Sequence, residues 1–142
     1  MIQRLKDIYQ RYDEEIRKVK AKAKPMDGLF GMGDDPRKDP CHMRFYEGVE
    51  RWVQDFLKTA PNAKDALEAA RVIIEAPAAH REGPTYWFEV AAHGLCRDLI
   101  GTLDAAGCRE LKDFYDKNYT KRERVPVQDQ LYKLLKKSAG KG

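Results

Sequence analysis

The chain has 142 residues, 42% hydrophobic and 35% charged, with a formal net charge of +4. A chain of this length fits one domain, which at this size buries roughly 68–70% of its unfolded surface. The apolar share excludes general disorder, and the charge content points to long solvated helix faces. No run of about 18 apolar residues is present, so no membrane-spanning helix is expected. Cys41, Cys96 and Cys108 are odd in number and lack CxxC pairing, which argues for free thiols in a reducing compartment. The N-terminal stretch MIQRLKDIYQRYDEE mixes acids, bases and apolar residues, unlike a secretory or transit signal, so the expectation is a cytoplasmic protein.

Ile2, Leu5, Tyr9, Tyr12, Ile16 and Val19 recur in steps of three and four, the narrow seam of a helix packed lengthwise on another. The spacing predicts a helix from Ile2 to about Ala23, ending in the basic run RKVKAKAK. Pro25 stops it, and residues 25–39 read as a long connection rich in glycine, proline and aspartate. Long loops of this kind are commonly functional or disordered, and Leu29, Phe30 and Met32 within it either tuck under the bundle or serve as partner-binding residues. GLFGMG in the same stretch matches no phosphate-binding loop.

Asp39 and Pro40 form a helix start, and the next helix is predicted to run to about Lys58 with His42 on its apolar face beside Phe45, Tyr46 and Val49. Pro61 and Asn62 open a third helix with Ala66, Ala70, Ile73 and Ile74 inward. Pro84 to Asp104 reads as a central helix. Phe88, Ala91, Ala92, Leu95, Leu99 and Leu103 share its apolar face, whereas Glu89, His93 and Arg97 form an i, i+4 ladder that reads as exposed ion pairing. Trp87, Gly94 and Gly101 repeat every seven residues on a third side, where the glycines would admit a close neighbour. Gly107 is expected to end this helix. A fifth helix follows through Leu111, Phe114, Tyr115 and Tyr119, then a sixth from Pro126 through Leu135 and a frayed tail at 138–142. The expectation is an all-α, single-domain bundle of five or six helices.

His42, Glu89, His93 and Cys96 are candidate ligands for zinc or another transition metal, since imidazole, carboxylate and thiolate suit such ions and the last three share a helix edge. The same set offers a histidine-based enzyme. A nucleophilic Cys41 is opposed by geometry, because neighbours on a helix point about 100° apart, which takes His42 away from the sulfur. RKDPCH, residues 37–42, resembles helical RNA-cleaving domains in the spacing of its arginine and histidine. The resemblance covers these six residues alone, and Pro40 leaves Arg37 in a loop. Basic residues in 17–24, with Lys121, Arg122, Arg124, Lys133, Lys136, Lys137 and Lys141, offer phosphate contacts without a recognisable nucleic-acid-binding motif. The leading expectation is a non-catalytic protein–protein interaction module with a protein partner or a second copy as its ligand. A metal-dependent or histidine-based enzyme and a nucleic-acid-binding protein are the alternatives.

Overall fold

A computed structural model describes residues 1–22, 39–79, 81 and 83–140. The candidate residues Leu29, Phe30, Met32 and Arg37 lie outside the described residues, as does His80. The described residues form an all-α bundle without strands. Its elements are α1 (Ile2–Lys22), α2 (Cys41–Lys58), α3 (Ala63–Glu75) with a 3₁₀ turn at Ala76–Ala79, α4 (Tyr86–Ala92), a 3₁₀ turn at His93–Cys96, α5 (Arg97–Ile100), α6 (Ala105–Asn118) and α7 (Pro126–Ala139). None is long and apolar enough to cross a membrane among these residues.

The seam of α1 packs antiparallel along α2. Trp52 Nε1 donates to the Met1 carbonyl at 2.8 Å, and at the other end Arg44 meets Glu15 at 2.9 Å. Leu5, Tyr12 and Ile16 are thereby buried within the chain, so this seam is spent internally and is not left for a second copy. The start of α2 follows from chemistry: the Asp39 carboxylate accepts from the Cys41 amide at 2.9 Å, satisfying a donor that the first helical turn leaves open. Its other end passes through Ala60, whose φ of 51° is left-handed, before Pro61 prevents continuation.

In α3, Asn62 caps by accepting from the Asp65 amide at 2.8 Å. Ala66, Ala69 and Ala70 are fully buried, and these small side chains let α1, α4, α5 and α6 all approach the same helix. Tyr86 to Ile100 forms one interrupted rod contacted by α2, α3 and α7, a central position as the sequence suggests. It is shorter than Pro84–Asp104, however, and tightens to a 3₁₀ turn at His93–Cys96. Gly94, a weak helix former, lies in that turn, where an added Cβ would meet Val127 of α7 at 3.1 Å. Gly101, by contrast, is exposed and has no close neighbour beyond its own helix.

The assignment of Gly107 as a helix end is corrected. Asp104 caps α6 by accepting from the Gly107 amide at 2.7 Å, which makes Gly107 the third residue of the following helix. Asp104 reads equally well as the last residue of one helix or the cap of the next, and the cap prevails because it satisfies a buried donor. Helix α7 then returns antiparallel on α6, tied by Tyr132 Oη donating to Asp116 at 2.8 Å. It extends to Ala139, itself buried, so the expected fraying at Ser138 and Ala139 is replaced by helix.

Candidate functional site

His42, Glu89, His93 and Cys96 are all buried. The exposed Glu89–His93–Arg97 ladder is therefore corrected: only Arg97 faces solvent, because the rod carries neighbours on more sides than a surface helix would.

His42 and His93 each have their own tyrosine. His42 Nδ1 lies 2.5 Å from Tyr12 Oη, and its ring stacks on Phe88 at 4.1 Å. His93 Nδ1 lies 2.7 Å from Tyr115 Oη. Burial pushes the Tyr115 phenol upward and lowers His93 to about 3, a fall only partly offset by the Ile74 carbonyl. At neutral pH the tyrosine is thus the donor and the imidazole the neutral acceptor, its proton on Nε2. Such a pair holds two helices in register and has no charge to give to a substrate.

The thiols are similarly quiet. Cys41, Cys96 and Cys108 are free and buried. Burial raises Cys96 well above the ordinary thiol range, and burial with the Asp39 carboxylate raises Cys41 to about 12. Neither is a thiolate at neutral pH, the form required of a nucleophile or metal ligand. Among the described residues, no three histidine, cysteine, aspartate or glutamate side chains come together in a way that could hold a metal ion. Tyr9 and Tyr12 complete this interior. Burial, foremost, raises both phenols, with Glu89 contributing to each, and the Tyr9 hydroxyl is enclosed without a hydrogen bond.

The open surface lies elsewhere. A groove of about 600 Å³ runs between the central rod and α7, closed at one side by Tyr46 of α2. Ala91 and Leu95 of the rod and Val127, Leu131 and Leu134 of α7 provide its apolar lining. Arg97, Lys133 and Lys137 supply its charge, with no carboxylate among the lining residues. Lys133 reaches Asp129 at 3.1 Å, an exposed pair that is easily exchanged. Arg97 and Lys137 have no ion pair among the described residues.

Two of the three large apolar side chains that stand exposed among the described residues lie one helical turn from residues that line the groove, though outside its lining. Trp87, 61% exposed, is one turn before Ala91 on the same face of α4; Met43, 54% exposed, is one turn before Tyr46 on α2. The stacking of His42 on Phe88 brings these two helix starts together. A second groove of about 420 Å³ between α1 and α2 differs in character. It mixes Arg4, Arg11 and Arg44 with Asp7 and Glu15, and its Arg44 and Glu15 already satisfy each other.

Sequence reading missed the cationic groove because its residues come from three separated segments. The available signal was the spacing of Val127, Gln130, Leu131, Leu134 and Lys137, one face of α7. Two of the other basic candidates are engaged locally: Arg124 lies 3.9 Å from the Tyr132 ring centroid and 3.3 Å from Asp129, and Arg17 pairs with Asp13. Comparison with protein-family models, curated proteins and solved structures finds no match to this chain.

Proposed function

We propose that the chain is a non-catalytic protein-interaction module that binds its partner through the groove between the central rod and α7. The observation that supports this most is the combination of an apolar lining with Arg97 and Lys137, cations without an ion pair among the described residues, and exposed Trp87 and Met43 one helical turn from lining residues. Exposed apolar patches beside a concavity are characteristic of binding sites, and an exposed tryptophan supplies the kind of anchor that dominates interface energies. His42, His93 and the thiols give less support to an enzyme, since they are buried and both of these histidines are paired with a tyrosine. Leu29, Phe30 and Met32 enter the interaction reading from the sequence alone, as a second apolar contact.

Photo-crosslinking from position 91 tests the groove. A photoreactive phenylalanine analogue replaces the exposed Ala91 in the full chain, expressed in its native host. A discrete crosslinked protein species is expected, lost when Leu134→Asp is added and retained when Arg11→Ala alters the α1–α2 groove. Absence of any crosslinked species, or a species indifferent to Leu134→Asp, would overturn the assignment. The paired change Leu29→Ser and Phe30→Ser, assayed by the same crosslink, reports whether the 25–39 stretch contributes.

A further inference from the structure

The partner's chemistry follows from the groove, and this step rests on the interaction reading above. We infer that the groove takes an amphipathic helix whose apolar stripe is flanked by carboxylates. Its lining contains three cations and no acid, and although Lys133 pairs with Asp129 outside the lining, Arg97 and Lys137 have no ion pair among the described residues, so a partner with flanking carboxylates gains attraction while a basic partner is repelled. Lys133 and Lys137 are four residues apart on α7, a rise of about 6 Å, which matches carboxylates placed at i and i+4 on a second helix. From Val127 to Lys137 the wall extends about 15 Å along α7, or nearly three helical turns. The apolar lining, with Leu95 on one wall and Leu134 on the other, suits a stripe of side chains at i, i+3 or i+4, and i+7. No strand edge is present among the described residues to which an extended peptide could add.

The groove's concavity favours a protruding helix over a membrane. A lipid surface is flat and would leave the lining untouched, whereas a helix fills it. A second copy would need to present an acidic apolar helix of its own, and the α1 seam is already buried against α2.

A yeast-displayed library of helix-forming peptides of about 16 residues, randomised with balanced acidic and basic codons, provides the probe. The full chain is the labelled bait. Enrichment is expected for peptides with an apolar stripe and glutamate or aspartate at i, i+4 beside it. Against the bait carrying Arg97→Glu and Lys137→Glu, these peptides should lose at least about tenfold in affinity, with recovery when their acids are exchanged for lysine. Both bait residues are exposed, and circular dichroism of the variant, alongside the milder Arg97→Gln and Lys137→Gln pair, keeps folding separate from binding.

Enrichment without acidic bias, or binding indifferent to both bait variants, would overturn the acidic-helix inference while leaving the groove as an interaction site. Failure to enrich any peptide also overturns it, and the crosslink from position 91 then decides whether the interaction reading falls with it. Two further outcomes count against the inference: retention on phosphatidylserine-containing vesicles, or concentration-dependent dimer mass by light scattering, in either case abolished by Arg97→Glu and Lys137→Glu. The first assigns the groove to a lipid surface and the second to another copy of the chain.

Discussion

Tyr115 and His93 show how a residue that reads as chemistry becomes structure. The sequence places His93 beside Glu89 and Cys96 along a helix edge, yet a wheel cannot reveal which hydroxyl another helix brings to it. Tyr115 lies 22 positions later, and its hydroxyl supplies the bond at 2.7 Å. Tyr115→Phe is expected to leave Nδ1 buried and unsatisfied, costing about 1–3 kcal/mol in a urea titration. The His93 ring also has a pH signature. Its folded pKa is about 3, below the unfolded value near 6.5, so the unfolded chain takes the proton first. Stability from this residue is therefore complete above about pH 6.5 and falls continuously as pH drops toward 3. Urea midpoints should decline between pH 7 and 5 in the native sequence and decline less in His93→Gln; equal declines would contradict the buried neutral ring. The thiols supply an independent check. Cys41 and Cys96 should react with an aromatic disulfide at pH 8 only on the timescale of unfolding, and a rapid burst would contradict their burial.

Helix boundaries were legible wherever a cap or a first-turn proline agreed with an apolar period, as at Asn62 and Pro126 respectively. They were less so where one residue suited two roles. Asp104 is the instructive case, and Asp104→Ala is expected to lower stability by about 1 kcal/mol through loss of the bond to Gly107. Ala60 gives the opposite sign. Its left-handed φ of 51° strains an L-residue by roughly 1–2 kcal/mol, more than the added unfolded-state freedom of glycine, so Ala60→Gly should raise the melting temperature by a few degrees. An unchanged or lower value would contradict that conformation. The break in the central rod was not legible, and neither was the close approach of Val127 to Gly94, which comes from a helix that follows much later in the chain.

For the whole molecule, the all-α class was readable from apolar periodicity alone, and the central position of the Tyr86–Ile100 rod from its breadth of apolar faces. Assembly decided the rest. Packing α1 onto α2 consumed the seam that had suggested self-association, and packing α7 beside the rod created the groove that no single segment announces. The candidate metal set drew on two helices, and burial, which the wheel gave for His42 but not for Glu89 and His93, places both histidines against tyrosines. Net charge likewise said little until three of the cations were placed around one apolar surface. Their arrangement is what supports the proposed recognition on the α7 side of the bundle.

Amide chemical-shift mapping of the isotope-labelled full chain, titrated with an acidic amphipathic helix selected as above, tests that assignment most directly. A partner seated in the groove should perturb Ala91, Leu95, Val127, Leu134 and the Trp87 indole, and leave the Arg4, Arg11 and Gly48 amides of the α1–α2 groove unchanged. Perturbations centred on the α1–α2 groove, or scattered without a common face, would contradict it.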